Sequence, residues 1–244
     1  MNDIIIFIFI ITAFFFVMLL SKALQFADYA VEFKNPVQDS MISMLAILII
    51  IISVVFNGLF TSKVIFGIKY TFIANFANLL PVILICYFKH DSFKSVGITK
   101  VNLLKSILLG CSLVLFFYLT VHFFISPNGM HYSSYYITSL LINYIIVGFF
   151  EEIIFRGYLQ TRLTASLGKV KGMVLTAILF SLTHLSNGLI LQHLNLNDAL
   201  INSLALLPVS LLLGYIMLKA KNITAPAIFH AGLDWFGQII IYTM

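Results

Sequence analysis

Glu151-Glu152-Ile153-Ile154-Phe155-Arg156 closes an apolar run, residues 137–150, with two adjacent carboxylates and an arginine. An acid or an arginine near the centre of a membrane helix costs roughly 2.5–3.5 kcal/mol on the insertion scale. Ionisable groups inside a span therefore mark a functional site by default. The competing reading places the three at a helix end, where charge is cheap. The rest of the chain decides between them.

Of the 244 residues, 61% are hydrophobic and 9% charged. Soluble domains carry about 25% charged residues, so this is a polytopic membrane protein. No polar stretch is long enough to fold separately, and residues 1–244 read as one membrane domain. The net charge of +5 encodes topology, as shown next, and gives no reason to expect nucleic acid. Cys86 and Cys111 both lie in apolar runs, which favours buried packing over a disulfide framework. The first apolar run follows an acidic start, Met1-Asn2-Asp3, with no small-residue cleavage site after it. It reads as an anchor and not a removable signal peptide.

A span needs about 20 mostly apolar residues. By that rule the chain is all-α, with about eight membrane helices near 4–21, 41–60, 64–88, 103–125, 135–160, 172–190, 198–218 and 222–243. The third contains Lys69, Asn75, Asn78 and Pro81, which suggests a kink or a polar face toward a cavity as well as ordinary interhelical bonding by Asn. With the N-terminus outside, one side of the membrane receives Lys22, Lys34, Lys89, Lys94, Lys100, Lys105, Arg162, Lys169, Lys171, Lys219 and Lys221. Only Lys63 and Lys69 fall near the other side. This is a positive-inside pattern, placing both termini outside the cell in a multi-pass cell-membrane protein of bacterial composition. The segment 90–102 reads either as an amphipathic surface piece or as a solvated loop.

Topology gives depth. At 1.5 Å per helical residue, Glu151 lies about 16 Å from Arg162, His184 about 19 Å from Lys171 and His230 about 14 Å from Lys221. Three ionisable residues from three helices thus reach similar depth in a core about 30 Å thick, which argues against the helix-end reading and for a polar cavity inside the membrane. Glu152 and Arg156 are four apart and can pair on one face. Glu151 lies about 100° round the helix and is left free. His230 and Asp234 are also four apart, a spacing that suits a carboxylate orienting an imidazole through its second nitrogen.

Such a set can hydrolyse a peptide bond without a covalent intermediate. A carboxylate in a wet but apolar cavity can take a proton from water, His184 can share that water, and His230 can donate to the oxyanion. Other plans fail on inventory. None of His90, His122, His131, His184, His193 or His230 is followed by Glu, so no His-Glu-x-x-His zinc motif exists. Only Asp234 is an intramembrane aspartate, and no Gly-x-Ser-x-Gly elbow is present.

Glu-Glu-x-x-x-Arg at 151–156, Phe-x-x-x-His at 180–184 and His-x-x-x-Asp at 230–234, in this order, resemble the CPBP family of CAAX proteases and bacteriocin-processing enzymes. The family includes the Ras-converting prenyl-protein endopeptidase. The motifs cover residues 143–236, and Arg156-Gly157-Tyr158 extends the first in the usual style. The resemblance implies an intramembrane glutamic endopeptidase with Glu151 as general base, His184 as its partner on the water, and Glu152 and Arg156 as a supporting pair. His230 and the position of Asp234 would form the oxyanion site. Prenyl-protein enzymes carry Asn at that last position, and an ionised Asp cannot donate to an oxyanion. Here His230 is expected to stabilise the oxyanion with Asp234 orienting it. No cofactor and no metal are required by this plan, although Glu and two His are acceptable ligands.

The leading expectation is therefore a protease acting on a small peptide precursor or a membrane-anchored protein, with membrane lipids as its other partners. Two alternatives of other classes remain: a non-catalytic scaffold or bacteriocin self-immunity protein keeping the fold, and a small proton-coupled transporter. Oligomeric state, substrate and scissile bond have no signature in the sequence.

Overall fold

In hydrocarbon every backbone N–H and C=O must find its partner within the segment, so long apolar runs become helices. A computed structural model describes residues 3–29, 31–60, 68–125 and 134–241, and no strand occurs among them. The helices are α1 (Asp3–Leu24), α2 (Pro36–Phe60), α3 (Ile68–Phe88), α4 (Leu103–Ile125), α5 (Ser134–Glu152), α6 (Thr161–Leu167), α7 (Lys169–Ile190), α8 (Leu196–Ala205), α9 (Leu207–Ala220) and α10 (Thr224–Ile241). A π-helical stretch, Ile153–Gln160, joins α5 to α6 end to end. α8 and α9 are likewise consecutive, parted at Leu206 just before Pro208, whose ring cannot continue the ladder from the preceding turn.

Among the described residues these join into eight rods. Five stretches are long and apolar enough to cross a membrane: Pro36–Val55, Leu103–Phe124, Ile137–Leu167, Lys169–Ile190 and Leu196–Ala220. Ile8–Leu24 and Phe72–Phe88 are shorter apolar helices. The chain is an all-α, multi-pass membrane protein. The fifth expected span runs to Leu167 and not to residue 160, and the seventh is broken in two. Helix α3 continues through Pro81. Residues 61–67, with Lys63, lie outside the described residues.

α10 is central, packing mainly on α5 and α4, and small residues make this possible. Small side chains let helix backbones approach closely where lipid supplies no hydrophobic driving force. Ala225, Ala227 and Ala231 on α10 are all buried, and Gly110 and Gly148 face it from α4 and α5. One apolar core joins α1, α4, α9 and α10 around Phe9, Leu113, Leu212 and Phe229. A second joins α2, α3, the π stretch and α7 around Ile47, Val82, Phe155 and Phe180. The site lies where the two meet.

The four basic connections come together at one end. Asn102 bonds Ala27 and Ala220 across 2.8–3.1 Å, and Asn222 donates to Thr99 O and Val101 O. Tyr29 Oη donates to Lys221 O, and Lys221 pairs with Asp28. Burial raises the Tyr29 phenol above its ordinary pKa, so it remains a donor. Lys89 pairs with buried Asp39, fixing the end of α3 to the start of α2.

Three sequence expectations change here. Segment 90–102 is not a free loop: a short 3-10 helix, Phe93–Val96, leaves Phe93 and Lys94 exposed and buries Ser95 and Val96, and Gly97 O accepts from Ile223 N. Arg162 is not a solvated topology marker. It is 1% exposed, pairs with Asp91 at 2.5 Å and stacks over Tyr158. Cys111 is exposed on the outer surface of α4, so buried packing holds only for the partly buried Cys86.

A Cβ at Gly110 would sit 2.9 Å from Ala225 O, while one at Gly237 meets nothing within 4 Å. Gly110→Ala should therefore lower stability by about 1–3 kcal/mol through overpacking. Gly237→Ala should be neutral, or stabilising by up to about 1 kcal/mol, because it removes a helix-interior glycine. Thermal unfolding in detergent compares the two, and equal effects would contradict the close α4–α10 approach.

Candidate active site

Adjacent residues on a helix point about 100° apart, and this gives Glu151 and Glu152 different surroundings. Glu152 is fully buried. Its Oε1 accepts from Arg156 Nη1 and from His230 Nδ1, each at 2.9 Å. Arg156, also 0% exposed, extends to Ser210 Oγ at 2.9 Å and Ser210 O at 3.3 Å on α9. Its guanidinium lies 4.6 Å from the centre of the Phe180 ring. The pair thus links the π stretch to α7, α9 and α10.

Glu151 keeps 19% of its side chain exposed, yet its Oε2 is buried without a hydrogen-bond partner. That oxygen lies 3.9 Å from His230 Nε2. Asp234 Oδ2 lies 3.5 Å from the same nitrogen, with 37% of its side chain exposed. The structure therefore places Glu152, and not Asp234, on the orienting nitrogen of His230. Asp234 stands on the side of the ring that faces Glu151.

His184 Nδ1 is 3.0 Å from Phe180 O, one turn back on α7. A carbonyl oxygen only accepts, so Nδ1 carries the proton and Nε2 of the neutral ring offers a lone pair. The His184 and Phe180 rings are 4.4 Å apart, and Phe180 is 6.1 Å from the His230 ring. Glu151, Glu152, Arg156, His230 and Asp234 are thus brought together directly, and His184 joins them across Phe180.

Two contributors carry no sequence signal. Ser210 is an ordinary serine in an apolar run until Arg156 is seen to reach it. The π stretch is also new, and π-helices are rare and concentrated at functional sites. Gly157 lies within it because the backbone of Val96 comes so close that any Cβ would collide with Val96 O. Among the described residues, no group of three or more His, Cys, Asp or Glu is arranged to hold a metal ion.

Residues 133–236 match the family model described as type II CAAX prenyl endopeptidase, Rce1-like. The match covers less than half of the chain, and over these residues the chain is similar to the CAAX protease (CPBP) family. Every residue of the polar cluster, Ser210 included, falls inside the match, and the activity that the model's description names is that of an endopeptidase. Neither a curated protein nor a solved structure matches the chain.

Removing one partner of a buried ion pair strands the other charge, at a cost of about 3–5 kcal/mol. Arg156→Met should destabilise the protein by that amount, and Glu152→Gln/Arg156→Met by less than the sum of its single changes. A double-mutant cycle on unfolding in detergent reads the coupling. Additive effects would mean that the pair does not hold the helices together.

Proposed function

We propose that this chain is an intramembrane endopeptidase in which Glu151 activates the water that attacks a peptide carbonyl. The observation that carries this reading is the contrast between two neighbouring carboxylates. The Oε2 of each lacks a partner, but Glu152 is fully buried with its Oε1 held by Arg156 and His230, whereas Glu151 keeps 19% of its side chain exposed. A base must have a free lone pair within reach of its proton.

In this mechanism Glu151 Oε2 accepts a proton from water as the water oxygen bonds to the carbonyl carbon. His184 Nε2 accepts the second hydrogen bond of that water and so fixes its direction. Nδ1–H of His230 is held by Glu152, which aims Nε2 at the reacting centre. With a proton on Nε2 the ring is an imidazolium, offset by the carboxylates around it, and donates to the oxyanion. Collapse of the tetrahedral intermediate breaks the C–N bond, and the proton held by Glu151 passes to the leaving amine. No step uses a metal or a cofactor.

The substrate is taken to be a small peptide precursor or a membrane-associated protein, entering laterally or from the basic end of the helices. That end is assigned to the cytoplasm and both termini to the outside, on the strength of the lysine distribution.

The test is cleavage of candidate peptides by purified protein in detergent, with and without a chelator. Glu151→Ala should reduce the rate by about 10²–10⁴, the usual contribution of a general base, and the chelator should leave the native rate unchanged. A mutant that still cleaves removes Glu151 from the mechanism, and loss with chelator calls for a metal. Asp234→Asn supplies an amide donor at the oxyanion position and should retain cleavage within about tenfold, less than the loss from deleting an oxyanion donor. A fall to the Glu151→Ala level would instead show that the Asp234 carboxylate takes part in proton transfer.

A further inference from the structure

At the basic end, away from the polar cluster, a cavity of about 200 Å³ opens beside the junction of the π stretch and α6. Lys94 and Lys169 line it, from the 90–102 segment and from the first residue of α7. Both side chains are exposed, and among the described residues neither ammonium has a hydrogen-bond or ion-pair partner. The third lysine of the lining, Lys221, is already held by Asp28 and by Tyr29 O. A second cavity of about 310 Å³ adjoins the first, sharing Lys169, Leu218 and Lys221 and adding Lys22 and Lys219. Among the described residues Asp28 is the one acid that lines either cavity.

The positive-inside rule explains why lysines gather at this end. It does not explain why two unpaired ones converge on a single cavity. The cavity has further features of a built site. Gln160 is 1% exposed and lines it. Its Nε2 is committed to Gly214 O at 2.9 Å, which leaves Oε1 buried without a donor. The amides of the first turn of α7 have no helical acceptor and no side-chain cap at Gly168, so they add to the positive character beside Lys169. Phe33, Met217 and Leu218 give the same cavity an apolar wall. Unpaired cations and an apolar wall at one end of a helix bundle match an amphiphile whose headgroup carries an anionic phosphate.

We propose that this cavity binds the phosphate-bearing headgroup of an anionic membrane lipid, with Lys94 and Lys169 on the phosphate. The apolar wall favours a lipid over free phosphate, although both share the anionic group. Because Gln160 ends the π stretch that carries Arg156, the bound lipid braces that stretch from below. The site is independent of the proteolytic reading, since none of its residues belongs to the polar cluster.

Purified protein in a neutral detergent would be titrated with phosphatidylglycerol, with phosphatidylcholine of the same acyl chains, and with inorganic phosphate. Thermal midpoint and native mass spectrometry would be the readouts. Phosphatidylglycerol should raise the midpoint and be retained on the protein, and phosphatidylcholine should do neither. Lys94→Gln/Lys169→Gln should bind phosphatidylglycerol at least about tenfold more weakly, on the scale expected for two lost lysine contacts. Its midpoint without lipid should match the native one, because neither ammonium has a protein partner. Lys34→Gln/Lys100→Gln, which removes the same charge elsewhere, should bind as the native protein does. Equal binding of both lipids, or unchanged binding by Lys94→Gln/Lys169→Gln, would overturn the site. Full protection by inorganic phosphate alone, lost in that same variant, would overturn the lipid assignment and leave a soluble anion as the occupant.

Discussion

Glu152 and Arg156 carry opposite charges at a place with no solvent exposure at all, and much of the bundle is arranged to make that tolerable. Desolvating two ions costs several kcal/mol each, and their attraction repays it only when the remaining hydrogen-bonding groups are satisfied. Here the partners come from separate helices, with Glu152 Oε2 and Arg156 Nε left without one. Ser210 of α9 takes one arm of the guanidinium, the face of Phe180 on α7 covers it, and His230 of α10 takes the carboxylate. Each of these contacts fixes a helix relative to the π stretch. In a membrane, where apolar surface gains nothing by leaving lipid for protein, a polar knot of this kind specifies which helices meet and in what register.

The same knot explains how one sequence position differs so sharply from the next. Glu151 and Glu152 are chemically alike and adjacent, yet Glu152 is fully buried and held through Oε1 by two donors, while Glu151 stays partly exposed. A rotation of about 100° is enough to turn a structural carboxylate into a candidate base. The cost of holding Glu151 unpaired falls on the pair beside it, which immobilises the helix at that point.

Much of this was legible in the residues. Apolar run length marked the eight rods, because the backbone leaves no other choice in lipid. Lysine distribution grouped four connections, three of which the structure joins through Asn102, Asn222 and Lys221. The i, i+4 spacing predicted the Glu152–Arg156 pair, which forms at 2.9 Å. What the sequence hid depends on contacts between distant segments. Arg162 looks like any loop arginine until Asp91 and Tyr158 are seen against it. Ser95 and Val96 look like loop residues until the π stretch closes over them, and the π geometry follows from packing that no local pattern encodes.

His230 shows the limit of spacing arguments most clearly. The four-residue interval to Asp234 is real, and the two side chains do approach, at 3.5 Å. Spacing cannot say which ring nitrogen is approached. With Glu152 on Nδ1 at 2.9 Å, the ring is already oriented from another helix, and Asp234 is released from that task. It stands instead beside Glu151, both of them facing Nε2. Two carboxylates sharing one imidazole N–H cannot both be satisfied acceptors of that proton. Both carboxylates stand on the Nε2 side of His230, where, in the proposed mechanism, a proton on Nε2 would lie between Glu151 and Asp234. A substrate oxyanion forming there would compete for the same N–H, and a proton on Asp234 would turn that side chain from a rival acceptor into a second donor.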